Sequence, residues 1–335
     1  MKRRLKFIGF LALVAVYACN NNTEVKKEVE RKKEAIIIKN IVDSIAEANA
    51  KQPKGTESAF EKSYNSSLLL FDTPLTEIDV ATKYGTAHVI VAGKDDAPPL
   101  VLLHGMNATS TMWYPNVKTL AKHFRIYAID FILEPGKSVR KSSMDNTTEI
   151  IDWYSDIFRV LKLKKFYLVG ASRGGWLSIN IALKHSEKVL KMALLSPAQS
   201  FEWMKPKMDL FKNIAYSVSP KRKNLRAALS TMTENIDNIN QTYINQYFLA
   251  TQQASINMSI LRMQPFSKSK LKRLNMPILL MVGDHDMING SHSLSKAQDY
   301  VSNITTSIIP HAGHFLSMDQ AEMVNNQLVN FLNKK

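Results

Sequence analysis

The sequence predicts an α/β protein with a mostly parallel, doubly wound sheet, antiparallel first strands and a helical cap inserted late in the sheet. From residue 76 onward, short strand patterns alternate with helix patterns. Most of these strands are nearly continuous apolar runs, as a parallel sheet covered by helices on both faces requires. The alternation stops between residues 199 and 275, where the sequence shows helical patterns and no clear strand. We interpret that segment as a cap over one edge of the sheet.

The first two strand patterns, at residues 78–82 and 87–92, flank a Tyr84-Gly85 turn and predict an antiparallel hairpin. A helical stretch at about 56–70 precedes them. The later predicted strands lie at residues 99–103, 125–129, 166–169, 191–195, 277–282 and 307–309. The predicted helices between and after them lie at residues 111–122, 147–161, 174–185, 291–301 and 318–332.

The composition restricts the partners that this chain can have. Its single cysteine excludes an internal disulfide framework and a multi-thiolate metal site, and we expect no metal. A net charge of +15 would suit nucleic acid or a membrane surface. The basic residues are spread along the chain without interleaved aromatic residues, so nucleic acid is not an expected partner.

The beginning of the sequence has the pattern of an export signal. Four Lys and Arg residues fall within the first six positions, and residues 7–18 form an uncharged run. Crossing a bilayer takes roughly 20 apolar residues, so this run fits a signal peptide better than a membrane-spanning helix. It ends in Val16-Tyr17-Ala18-Cys19, which resembles a bacterial lipobox. We therefore predict an exported lipoprotein anchored to a membrane through Cys19; cleavage after Ala18 without lipidation, which gives a secreted or periplasmic protein, is the alternative.

The domain organisation follows from these patterns. Residues 1–18 are the predicted signal peptide, and residues 19–55 form a polar tether with a short helix. The first part of the tether is densely charged, and its second part has apolar residues at helical spacing. Residues 56–335 form the predicted folded domain, with the cap at about 199–275.

The motif Gly170-Ala171-Ser172-Arg173-Gly174 is the strongest functional signal. It directly follows a predicted strand and opens a predicted helix, which is where a nucleophile elbow lies. The sharp turn lifts the serine hydroxyl above the sheet, and glycines two residues away on either side leave room for it. The helix N-terminus also favours a developing negative charge. Ser172 is therefore the candidate nucleophile.

A serine hydroxyl needs a base to accept its proton, and that base needs a carboxylate partner. His314 follows the last predicted strand, at the edge where ligands bind in open α/β sheets. We interpret its neighbour His311 as a loop residue. Asp284 and Asp286 both follow the strand at 277–282, and either could orient the histidine in the chain order Ser, Asp, His. Four other histidines lack such a partner and are interpreted as structural or surface residues: His88, His123, His185 and His292.

A tetrahedral intermediate carries an oxyanion that requires preorganised donors. The backbone N–H of Arg173, directly after the nucleophile, is one expected donor. The backbone N–H of Met106, in the loop after the strand at 99–103, is the other. His104 in that loop is expected to stabilise the loop and not to act as a base.

At these motifs the sequence resembles the α/β-hydrolase superfamily, and within it the carboxylesterases of the naproxen-esterase (carboxylesterase NP) type. The likeness covers roughly residues 56–333 and is carried by residues 97–105, 110–116, 170–174, 195–198, 277–280, 283–286 and 312–318. The acidic member of the family's triad matches Asp286. The resemblance implies hydrolysis of a small-molecule ester through an acyl-Ser172 intermediate, without a metal or organic cofactor.

The sequence departs from the family at two places. The loop at residues 130–138 has one glycine and unusual spacing, and Arg173 replaces an apolar or small residue. The Arg173 side chain is expected either to bring positive charge to the acyl pocket or to form a salt bridge with the cap. Other reactions open to the same triad are acyl transfer, perhydrolysis and carbon–carbon bond hydrolysis. A non-catalytic binding lipoprotein is the alternative from a different class.

Overall fold

The computed structural model describes residues 57–204, 208–254 and 263–334. The predicted signal peptide, Cys19 and the tether lie outside the described residues. Contacts divide the chain into Met1–Glu57 and Ser58–Lys335, and the fold described here is that of the second unit. Across the described ranges, no helix is both long and apolar enough to cross a membrane.

A mixed sheet forms the centre of this unit. In the described residues its strands are β1 (Leu75–Thr82), β2 (Gly85–Ala92), β3 (Pro99–Leu103), β4 (Arg125–Ile129), β5 (Val139–Arg140), β6 (Phe166–Ala171), β7 (Val189–Leu195), β8 (Ile278–Gly283) and β9 (Ile304–Ile309). The spatial order is β1-β2-β4-β3-β6-β7-β8-β9, and the short β5 pairs with β2. β2 is antiparallel to β1, β4 and β5. The neighbouring strands β4, β3, β6, β7, β8 and β9 run parallel to one another.

Helices cover both faces of the sheet. They are α1 (Ala59–Leu68), α2 (Tyr114–Leu120), α3 (Thr147–Val160), α4 (Arg173–Lys184), α5 (Met208–Val218), α6 (Arg222–Leu229), α7 (Gln241–Gln253), α8 (Lys268–Leu271), α9 (Ser291–Tyr300), α10 (Leu316–Asp319) and α11 (Ala321–Asn333). Successive side chains of a strand point to opposite faces. Leu100 and Leu102 of β3 accordingly belong to one buried apolar cluster, and Val101 and Leu103 belong to the other. The predicted fold class is thus confirmed.

The described parts of residues 199–275 contain α5 to α8 and no strand. Buried residues of this insertion, among them Tyr216, Tyr243 and Phe248, pack into the apolar cluster that also contains Leu100. The insertion therefore shares its core with one face of the sheet.

Apart from shifts of a few residues at strand ends, the observed elements depart from the predicted ones in three places. The helix predicted at 111–122 is a 3₁₀ turn at Ser110–Trp113 followed by α2, with Pro115 in the first turn of α2. Proline lacks an N–H and is tolerated at that position, so the α-helix begins there. The final helix is interrupted at Gln320, between α10 and α11. The strand β5 is not indicated by any sequence pattern, because two residues are too few to show a period.

Candidate active site

Ser172 occupies the turn between β6 and α4. Its backbone has φ 51° and ψ −114°, which is a strained conformation for a residue with a side chain. A Cβ on Gly170 would lie 2.2 Å from the carbonyl oxygen of Gly174, and one on Gly174 would lie 2.1 Å from that of Leu103. The two glycines of the motif are therefore needed because backbone segments approach them closely.

The structure brings Ser172, His314 and Asp286 together from three segments. The Ser172 Oγ lies 2.9 Å from His314 Nε2, and His314 Nδ1 lies 2.9 Å from Asp286 Oδ1. His314 comes from the loop between β9 and α10, and Asp286 from the loop between β8 and α9. Their side chains are 1% and 0% exposed. A hydroxyl, an imidazole and a carboxylate in this order can activate the hydroxyl as a nucleophile.

Two further donors hold the Asp286 carboxylate. Oδ1 accepts a hydrogen bond from the backbone N–H of Ile288 at 2.8 Å, and Oδ2 accepts one from Asn289 Nδ2 at 3.0 Å. Burial raises the pKa of Asp286, but His314 and these donors outweigh it and leave the pKa below its ordinary value. The carboxyl is therefore ionised, as a partner of an imidazolium must be. Sequence reasoning did not find Asn289.

Asp284 has a different set of partners. Its carboxylate accepts hydrogen bonds from the backbone N–H groups of His311 and Ala312, both at 3.0 Å, and contacts His285. Although burial opposes ionisation, these bonds lower the pKa of Asp284. His311 has φ 53°, in the left-handed region. Asp284 thus fixes the loop that leads to His314, while Asp286 makes the contact with the imidazole.

The segment that contains Met106 lies beside the nucleophile. A Cβ on Gly105 would be 3.4 Å from the Ser172 Cβ, so this loop runs directly past the elbow. The buried His104 ring holds the loop: Nδ1 donates to the carbonyl oxygen of Gly105 at 2.8 Å, and Nε2 accepts from the N–H of Phe131 at 2.9 Å. Burial lowers the pKa of His104. The ring is accordingly neutral and engaged at both nitrogens, and it stabilises the loop.

The predicted salt bridge between the Arg173 side chain and the cap is wrong. Arg173 forms an ion pair with Glu134, a residue that does not belong to the insertion at residues 199–275. Its guanidinium carbon also lies 5.5 Å from the centre of the Phe131 ring. Glu134 and Phe131 both belong to the loop after β4, which is the other place where the sequence departs from its family. Glu134 precedes Arg173 by about 40 residues, so no local sequence pattern indicates this contact.

Asp130 organises the same loop. Its carboxylate accepts hydrogen bonds from the backbone N–H groups of Ser110 and Lys137 and from the Tyr64 hydroxyl, at 2.8 to 2.9 Å. A Cβ on Gly136 would lie 2.8 Å from Asp130 Oδ2. The one glycine of this loop is therefore at the position where a side chain would collide with the carboxylate.

The insertion contacts both loops of the site. The N–H of Phe315 donates to the carbonyl oxygen of Met232 at 2.8 Å. Asp319 accepts from the N–H groups of Gly313 and Glu234, at 2.8 and 3.0 Å. Near the Met106 loop, the buried Gln246 of α7 exchanges hydrogen bonds with Thr109 and Thr111. The position of the insertion is thereby linked to that of the loops that carry His314 and Met106.

In the part of the chain that the structure describes, no group of three or more His, Cys, Asp or Glu side chains could hold a metal ion.

The fold and the site together define a hydrolase with a serine nucleophile elbow. The α/β hydrolase fold family matches residues 98–321, and the chain belongs to this family. Among its relatives, the uncharacterized carboxylesterase nap of Bacillus subtilis (strain 168) is 33% identical over 286 residues, which cover 82% of this chain and 92% of the relative.

Two solved structures agree with this assignment. The crystal structure of naproxen esterase (carboxylesterase NP) from Bacillus subtilis has a TM-score of 0.78 and 31% identity, and the match covers 84% of this chain and 100% of that one. Carboxylesterase CesB (YbfK) from Bacillus subtilis gives a TM-score of 0.74 at 30% identity, covering 82% and 97%. The predicted resemblance is thereby confirmed.

Proposed function

We propose that this protein is a carboxylesterase that cleaves small-molecule carboxylic esters through an acyl intermediate on Ser172. The observation that carries the proposal is the triad in which Asp286, His314 and Ser172 are joined by two contacts of 2.9 Å. Relatives that are at least 30% identical and match over most of their length bear carboxylesterase names, which supports the same reaction.

The geometry assigns a role to each group in the reaction. His314 Nε2 takes the proton as the Ser172 Oγ attacks the ester carbonyl carbon, and the imidazolium that forms faces the ionised Asp286. The tetrahedral intermediate collapses when His314 gives this proton to the departing alcohol oxygen. A water molecule, deprotonated by His314, then attacks the acyl-serine, and the acid leaves as Ser172 regains its proton.

The oxyanion of each tetrahedral intermediate is assigned to two main-chain donors. Arg173 is the first residue of α4, so its N–H has no partner four residues earlier within the helix. The Met106 N–H follows Gly105, which lies against Ser172. Losing one donor of this kind typically costs about 3 kcal/mol of transition-state stabilisation. Because both donors belong to the backbone, replacing either side chain leaves the N–H in place.

A fluorophosphonate probe tests the proposal directly. We expect the purified protein to be labelled at Ser172 and to hydrolyse p-nitrophenyl esters of short acids. A panel of esters that varies the length and charge of the acyl group then measures which acids the site accepts. A protein that resists the probe and cleaves no ester of the panel would contradict the esterase proposal.

We further propose that the enzyme is exported and anchored to a membrane by a lipid on Cys19, with secretion or a periplasmic location as the alternative. The positively charged start, the uncharged run at 7–18 and the Ala18-Cys19 pair support this proposal. Such an anchor would place the esterase at a membrane surface, where net positive charge favours anionic lipids.

Metabolic labelling with an alkyne analogue of palmitate tests the anchor. We expect the full-length protein expressed in a bacterium to incorporate the analogue, and Cys19→Ala to lose it, because the sequence has no other cysteine. Met106→Leu, a change outside the export signal, is the labelling control. Equal labelling of wild type and Cys19→Ala would argue against the anchor.

A further inference from the structure

The two places where the sequence departs from its family meet in one buried ion pair. The Nη1 atom of Arg173 contacts Glu134 Oε1, and the two side chains are 3% and 2% exposed. Removing two charges from water is unfavourable, and their attraction offsets this only when the geometry is good and other hydrogen bonds are made. A gain in stability alone therefore does not explain why this ion pair is buried beside the nucleophile.

The second carboxylate oxygen of Glu134 connects the ion pair to the loop that contains Met106. Oε2 accepts a hydrogen bond from the backbone N–H of Asn107 at 3.0 Å. Asn107 directly follows Met106 and has φ 59°, in the left-handed region. Its side chain donates to Ser217 Oγ of α5 at 3.2 Å. One carboxylate thus connects the residue after the nucleophile to the residue after Met106, and we call this the Arg173–Glu134–Asn107 brace.

A second contact joins the same two loops on the other side of Met106. The N–H of Phe131 donates to His104 Nε2 at 2.9 Å, and the N–H of Glu134 donates back to the carbonyl oxygen of Phe131 at 2.9 Å. The short loop from Phe131 to Glu134 therefore holds the segment His104–Asn107 at both ends, and Met106 lies within the held segment.

We propose that Glu134 and the Arg173 side chain are positioning residues that set the separation between the backbone N–H groups of Met106 and Arg173. The inference rests on the proposed function, since it concerns donors for an ester oxyanion. Such donors must lie 2.7–3.1 Å from the oxyanion to be effective, so a fixed spacing contributes to kcat.

The double variant Arg173→Met/Glu134→Leu tests the brace without leaving a lone buried charge, which would destabilise the fold strongly. The N–H of residue 173 is kept. We expect kcat for a p-nitrophenyl ester to fall roughly 10- to 100-fold, less than the 10²- to 10³-fold loss typical of removing a donor outright. KM should stay within about twofold. Affinity for a boronic acid, which forms a tetrahedral adduct with serine, should fall in parallel with kcat.

Leu328→Ala is the matched control for lost stability, because Leu328 is fully buried in α11 and its truncation leaves a destabilising cavity. Its kcat should equal that of the wild type below its unfolding temperature. Amide hydrogen exchange in residues 105–108 should speed up in the double variant and not in Leu328→Ala.

Two results would overturn the positioning role: a kcat within about threefold of wild type, or a raised KM with unchanged kcat. A wild type that cleaves no ester would overturn the proposed function instead. The hydrogen-exchange comparison would then still decide whether the brace holds the loop.

Discussion

Replacing Ser172 with alanine is expected to lower kcat for ester hydrolysis by roughly a million-fold, the loss found when a catalytic serine is removed from a comparable triad. The variant lacks the hydroxyl that lies 2.9 Å from His314 Nε2, so no acyl-enzyme can form. His314→Ala should cost about as much, because an unassisted serine hydroxyl is a weak nucleophile. Initial rates with a p-nitrophenyl ester at high enzyme concentration measure both losses.

The double variant tests whether Ser172 and His314 act together. Ser172→Ala/His314→Ala should be no slower than either single variant, since the two residues act as one unit. Ser155→Ala is the matched control: its hydroxyl donates to Ile151 within α3, and it should retain wild-type activity. Labelling by a fluorophosphonate should persist in the control and vanish in Ser172→Ala. More than about 1% residual activity in Ser172→Ala would assign the nucleophile to another residue.

Much of the fold could be predicted because strands and helices in an α/β sheet carry strong local patterns. The predicted strands at 99–103 and 125–129 have the observed ends. Each is a short, mostly apolar segment, and turn residues or the end of a helix mark where it begins and ends. The features that the sequence does not predict depend on contacts between segments that are distant in the chain. The two-residue β5 is a strand because it pairs with β2 at Gly85 and Thr86. No hydrophobic periodicity in the local sequence indicates this pairing.

The candidate site likewise contains residues that a local motif predicts and residues that only long-range contacts define. Ser172 could be found because its motif is contiguous and its strand–turn–helix context is local. Glu134 could not be found, because its role arises from contact with Arg173 and Asn107, which lie far from it in sequence. Gln246 is a similar case: in the sequence it looks like any polar helical residue, yet it is fully buried between the cap and the Thr109 loop.

The choice between the two acidic residues is an example of what geometry adds. The residues alone left Asp284 and Asp286 open, and only the family resemblance favoured Asp286. In the structure the two carboxylates are two residues apart and face different groups. Asp286 contacts the His314 ring, while Asp284 accepts from the backbone at His311 and Ala312. The two aspartates can therefore be told apart by experiment.

Asp286→Asn is expected to lower kcat by roughly 10⁴-fold, as the equivalent change does in trypsin. The amide of asparagine can donate to His314 Nδ1, and this stabilises the tautomer with the proton on Nε2. That nitrogen then cannot accept the proton of Ser172, although the side chains keep their places. Steady-state kinetics near neutral pH measure the loss, and circular dichroism checks that the variant is folded.

Asp284→Asn is the matched control, because it makes the same change two residues away. Its amide oxygen can still accept from one of the two backbone N–H groups, so the loop keeps part of its support. We expect a kcat loss of no more than roughly tenfold and a lower melting temperature, since one hydrogen bond to a charged group contributes about 1.5–3 kcal/mol. A larger kcat loss in Asp284→Asn than in Asp286→Asn would reassign the acid, because only the residue that fixes the His314 tautomer can produce the 10⁴-fold effect.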